Sequence, residues 1–168
     1  MPPRPLALSL FVVVASCQPG AGPQPDLAST AERFFRGVYG CDDTEWSVVA
    51  SPEVRMSYPI FAERFGTPTL EGLAAVEAFS ANFCRHWSDP SITVHEAIED
   101  RDRVVLVWSY SADDRGADSG ADVRVSWGGI SVFHFDGSGR VSAEFGEEST
   151  PGPYARIAGN GDSGQEAR

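Results

Sequence analysis

Beyond Pro90 the apolar residues of this chain recur with period two alone, and that change from the helical spacing that dominates before it restricts the folds open to it. From Asp26 onward, Ala28, Ala31, Phe34, Phe35, Val38 and Tyr39 recur at helical spacing, which predicts a helix with one buried face. Ser29 and Glu32 fit a capping box, Asp26 offers a cap slightly earlier, and Gly40 supplies the stop. Asp42 and Glu45 fit a second box, opening a short helix through Trp46 to Val49 that Pro52 ends. Val54, Met56 and Tyr58 alternate with Arg55 and Ser57 as a short strand cut by Pro59. A further helix is expected from about Leu70 to Trp87, its apolar face formed by Leu73, Val76, Phe79, Phe83 and Trp87.

Beyond Pro90 every element reads with period two. Ile92, Val94 and Ile98 alternate with Thr93, His95 and Ala97, and Asp100-Arg101-Asp102 makes a turn. Val104, Leu106, Trp108 and Tyr110 then share one face, with Val105, Val107, Ser109 and Ser111 on the other. Asp113 to Asp122 reads as a loop, and Val123, Val125 and Trp127 begin a strand that Gly128-Gly129 is expected to bulge or bend. Ile130 to Phe135 is apolar on both faces, as in a central strand or one under helices. Asp136-Gly137-Ser138-Gly139 is a hairpin turn into Val141 to Glu148. Helices followed by an antiparallel sheet define an α+β domain, its helices on one face of a sheet that must curl around them.

The first residues carry a different signal. Arg4 precedes an apolar run from Leu6 to Val14 that closes on Val14-Ala15-Ser16-Cys17. A spanning helix needs roughly 20 apolar residues, and this run is far shorter. The segment resembles the signal peptide of a bacterial lipoprotein, cut before a cysteine that then carries acyl chains such as palmitate. That resemblance implies removal of residues 1–16 and lipidation of Cys17. It places the protein on the extracytoplasmic side of the cell membrane or outer membrane. Residues 17–25 form a tether and 158–168 a disordered tail, leaving 26–157 as one domain of about 130 residues, enough for a single core.

The net charge is −11 and all 13 basic residues are arginine. With no basic stripe, nucleic acid is excluded as a partner, as is a polybasic membrane patch. Cys41 and Cys84 remain as an even pair in an oxidising compartment, either a disulfide or two separate buried thiols. The three histidines and the aspartates 113, 114, 118 and 122 lack metal-ligand spacing, so no metal or other cofactor is expected.

The run from Trp127 to Val141, Trp-Gly-Gly-Ile-Ser-Val-Phe-His-Phe-Asp-Gly-Ser-Gly-Arg-Val, resembles the penultimate strand, turn and last strand of the NTF2-like superfamily, nearest its SnoaL-like branch. The order of elements agrees over roughly Asp26 to Ile157. The resemblance implies a cone in which a curved antiparallel sheet wraps about three N-terminal helices around a pocket. Members include cyclases, isomerases, dehydratases and epoxide hydrolases, and many with no known chemistry, so the fold does not name the function.

Isomerase-like members carry an aspartate where this chain reads Met56-Ser57-Tyr58-Pro59, although Tyr58 still offers a hydroxyl. Cyclase-like members place an acid near the end of the last strand, where Glu144, Glu147 and Glu148 stand. If Phe145 faces the core, Glu147 is the acid at the pocket mouth; if a bulge at Gly146 shifts the register, it is Glu148. Glu148, Glu147, His134 and Tyr58 are thus the catalytic candidates, His134 for its titration near neutral pH. Trp46, Tyr58, Phe61, Phe65, Trp108, Tyr110 and Trp127 exceed the evident needs of a small core, which points to a cavity for a small hydrophobic molecule. Three functions follow: binding without conversion, favoured by the missing strand-one carboxylate; an isomerase- or cyclase-like enzyme with a carboxylate base; and a module that dimerises through its open sheet face. An exposed surface of Val105, Val107 and Phe133 would mark the last.

Overall fold

The computed structural model describes residues 26–41, 45–115 and 123–159. The expected signal and tether with Cys17, the Asp42 cap and the residues beyond Gly159 lie outside them.

Helix α1 spans Leu27–Tyr39 and is capped by Asp26, whose side chain accepts from the Ser29 amide at 2.9 Å, so the earlier of the two candidate caps is used. Its apolar stripe is buried: Ala31, Phe34, Phe35 and Val38 are all at most 1% exposed. A 3-10 turn at Ser47–Val49 leads into strand β1, Ala50–Ser57. The strand starts before Pro52, which therefore does not mark a boundary.

Helix α2, Pro59–Phe65, was not expected from periodicity. Seven residues are too few to display it, but Pro59 occupies the first turn, where its fixed φ and missing N–H suit a helix start. A short β2, Thr69–Glu71, precedes α3, Leu73–His86. Strand β3 runs Trp87–Asp100, β4 Arg103–Asp114, β5 Val123–Phe135 and β6 Val141–Ser149, and α4, also unforeseen, closes the described chain at Pro153–Gly159.

Two expected breaks are absent. Strand β3 continues through Pro90 because it is an edge strand: the pairing is irregular between Ser88 and Ser91, Asp89 adopts φ 48°, and no inner neighbour needs the missing N–H. Strand β5 passes through Gly128-Gly129 in unbroken register with β4. These glycines serve close approach instead of a bulge, since a Cβ at Gly129 would strike the Trp108 ring and one at Gly128 the Trp108 carbonyl oxygen.

The six strands form one curved, unclosed sheet in the order β2-β1-β6-β5-β4-β3. All neighbours are antiparallel except β1 and β6, which run parallel. The β5–β6 hairpin turn is held by Asp136, which accepts from the Ser138 amide and hydroxyl and the Arg140 amide; these bonds hold its carboxyl below the usual range. Val104, Leu106, Trp108 and Tyr110 all face inward, against α1. Phe133 joins them, its ring 6.1 Å from Phe34, so it is no part of an outer surface. On the outer face Val105 and Val107 are half-buried, while Ile98, Ile130 and Phe145 are exposed. Cys41 and Cys84 are joined as a disulfide with Cα atoms 5.3 Å apart, linking the end of α1 to α3.

Candidate functional site

Between α2, α3 and the inner ends of β4 to β6 lies a cavity of about 1070 Å³. Its walls are aromatic. Phe79 and Phe83 project from α3, Phe61 from α2, and Trp108 and Tyr110 from β4, with Trp127 of β5 4.4 Å from the Tyr110 ring. Phe79, Phe83 and Trp127 are only half-buried because they border this space instead of packing into solid core.

Tyr58 and Tyr39 form part of the lining. Pro59 holds Tyr58 extended, at φ −138°, so its side chain follows Val54 and Met56 onto the inner face of β1. The ring lies over Gly146, where an added Cβ would fall within it. Its hydroxyl donates to Glu144 Oε1 at 2.5 Å and lies 2.8 Å from Ser131 Oγ, which accepts from Trp108 Nε1 at 2.9 Å. Tyr39 approaches Glu144 Oε2 at 3.5 Å.

Glu144 and Ser131 are wholly buried, and no buried side-chain polar atom among the described residues lacks a partner. Burial raises the Glu144 carboxyl from 4.5 to about 7, against the opposing effect of bonds from Tyr58, Ser131 and Tyr39. Burial, then the negative charge of Glu144, pushes both phenols well above their usual range. The cluster can therefore hold or release one proton near neutral pH while keeping its tyrosines protonated.

Of the expected pocket residues, Tyr58, Phe61, Trp108, Tyr110 and Trp127 line the cavity. Trp46 does not: it is buried edge-on against Phe34, 5.5 Å away, as core. The Phe65 side chain lies outside the described residues. Both Glu147 and Glu148 border the cavity. The two premises offered for placing them there both fail, however, because Phe145 is exposed and pairing is continuous from Phe145 to Ser149. Glu144, Gly146 and Glu148 thus share the inner face with no bulge, and Glu147 reaches the rim from the other parity. His134 points away from the site, on the outer face, 5.3 Å from the Phe145 ring. Its neighbour Phe133 is fully buried, and adjacent strand residues face opposite ways.

Glu144 is the residue that sequence reasoning passed over. The signal was present: Ser131 and Gly146 are small, directly paired, and leave room on the inner face for a polar side chain and the Tyr58 ring. Among the described residues no group of three His, Cys, Asp or Glu side chains could hold a metal ion.

A curved sheet enclosing helices around an aromatic cavity defines an α+β cone of the NTF2-like kind. The SnoaL-like domain matches residues 31–144, and the chain belongs to that family. Three solved structures share the fold. An NTF2-like protein of unknown function from Burkholderia pseudomallei is 18% identical, with 76% of this chain and 93% of that one covered and a TM-score of 0.61. A proposed SnoaL-like polyketide cyclase from Jannaschia sp. CCS1 is 17% identical, with coverages of 84% and 96% and a TM-score of 0.60. TerC, co-crystallised with polyporic acid, is 15% identical, with coverages of 80% and 95% and a TM-score of 0.60. No curated protein matches the chain significantly.

Proposed function

We propose that this chain is a lipid-anchored, extracytoplasmic SnoaL-like domain that holds a small hydrophobic molecule in its aromatic cavity without converting it. The observation that carries the binding reading is the placement of the desolvated carboxyl. Glu144 is sealed behind Tyr58 and Tyr39 and does not border the cavity, so it cannot touch a bound carbon acid. Where an isomerase-like base would stand, Met56 is packed into the core. The crystallisation of TerC with polyporic acid supports a small-molecule occupant. The anchor rests on the Cys17 pattern alone, and no helix among the described residues is long and apolar enough to cross a membrane.

One experiment addresses both parts. Native mass spectrometry of the protein from the membrane fraction of its host is expected to show a mature chain beginning at Cys17 with added acyl mass, and a retained small molecule. An unacylated N terminus removes the anchor, and a protein that is always empty removes the binding reading.

A second reading, an enzyme of the isomerase or cyclase kind, is favoured by Glu148, a carboxylate on the inner face that does border the cavity. If it is correct, turnover of the retained molecule falls at least a hundredfold in Glu148→Gln with binding retained, by the usual weight of a general base. Turnover unchanged from the wild type in both Glu148→Gln and Glu147→Gln removes the assignment.

A further inference from the structure

The hydrogens of the buried cluster can be counted. Trp108 Nε1 can only donate, and it gives its hydrogen to Ser131 Oγ. Tyr58 Oη has one hydrogen, and Glu144 Oε1 lies 2.5 Å away to receive it. While Glu144 is a carboxylate it can only accept, so the Tyr58 hydrogen is committed to it and Tyr58 has no donor left for the cavity it lines. Once Glu144 carries a proton the direction reverses. The carboxylic O–H donates to Tyr58 Oη, and the phenolic hydrogen is released to turn either to Ser131 Oγ, 2.8 Å away, or to an acceptor in the cavity.

Resting on the binding reading above, we propose that the cavity selects ligands bearing a neutral oxygen acceptor, such as a ketone, and that seating this oxygen on the Tyr58 hydroxyl loads one solvent proton onto Glu144. The balance is simple. Glu144 Oε1 gains a proton from solvent, the Tyr58 O–H bond swings from Oε1 to the ligand oxygen, and no bond to carbon forms or breaks.

The surroundings favour this exchange. Glu144 is faced by Tyr39 from α1, Tyr58 at the start of α2 and Ser131 from β5, with Met56 beside it on β1 and Phe133 across on β5. None of the groups that shift its titration is a cation, and the Glu148 charge further along β6 bears on Tyr39. Nothing positive therefore holds the carboxylate in its charged form. With the carboxyl already raised to about 7, free protein at about pH 8 is mostly ionised at this group and has a proton to gain; at about pH 5 it has none.

The test uses the full chain in lipid nanodiscs, with empty nanodiscs as the blank, and two probes of similar shape: 2-acetonaphthone, which has a carbonyl, and 2-isopropylnaphthalene, which does not. Titration calorimetry at about pH 8 in phosphate and in Tris, whose ionisation heats differ, reads the protons exchanged. The ketone is expected to bind about tenfold tighter than the hydrocarbon at about pH 5, the worth of one good hydrogen bond. At about pH 8, where loading Glu144 offsets most of that gain and leaves about twofold, it is expected to take up a substantial fraction of a proton, while the hydrocarbon takes up none. Ketone affinity is expected to weaken as pH rises above about 7. Tyr58→Phe should make the two probes equal, and the wild-type buffer comparison stands without it should that variant fail to fold. Ketone binding at about pH 8 without proton uptake, or equal affinity of the wild type for both probes at about pH 5, overturns the proposal while leaving the cavity reading intact. Binding of neither probe overturns both.

Discussion

Replacing both cysteines, Cys41→Ser with Cys84→Ser, is expected to lower the stability of the domain by about 4 kcal/mol. The bridge joins positions 43 apart, and closing a loop of that length in the unfolded chain removes entropy worth this amount near 25 °C. The loss falls most heavily on α3, because Val76 is its one fully buried residue and much of its apolar face borders the cavity instead of solid core. Apart from the bridge, α3 is tied to α1 by Ser80, whose hydroxyl donates to the Val38 carbonyl at 2.8 Å. Urea unfolding of the variant, or of the wild type with and without reductant, should show the drop. Hydrogen exchange should show the amides of α3 losing protection before those of β4 and β5. An unchanged urea midpoint would mean that packing alone fixes α3.

Glu144→Gln is expected to make the domain about 3 kcal/mol more stable than the wild type at about pH 8 and no different below about pH 4.5. The carboxyl is raised from 4.5 to about 7 on folding, so between those values the folded state binds more protons than the unfolded one. Stability contributed by this group is therefore complete at low pH and lost as pH rises through that window, at about 1.4 kcal/mol per unit. Glutamine keeps an oxygen for the Tyr58 hydroxyl and carries no charge to bury. Other ionisable groups act on both proteins alike, so the quantity to read is the difference between their urea-unfolding free energies across that range. Parallel curves would show that Glu144 is solvated or paired in the native protein, contrary to the burial described here.

Much of the scaffold is legible from neighbours along the chain. The buried stripe of α1, its Asp26 cap, the inward row of Val104, Leu106, Trp108 and Tyr110, and the Asp136 turn each depend on spacing within a dozen residues. The expected breaks that proved absent are those whose cause lies elsewhere in the chain. Proline at position 90 looks like a stop until β3 is known to be an edge strand, and Gly128-Gly129 looks like a bend until the Trp108 ring is seen against it.

The candidate site divides the same way. That the chain is an α+β domain rich in aromatic residues follows from the order and periodicity of its elements, which are local properties of the amino-acid sequence; that it is a SnoaL-like cone is what the resemblance of Trp127 to Val141 implied and the family match shows. Which side of each strand faces inward does not, because a slip of one residue exchanges the two faces and only pairing with neighbouring strands selects between them. Pairing placed Phe145 and His134 outside and Glu144 inside. It brought Glu144 to Tyr58, 86 positions away, and to Tyr39, 105 away. The raised carboxyl, and with it the proton this site can exchange, comes from that long-range burial, because the free energy of a buried charge is set by everything packed around it.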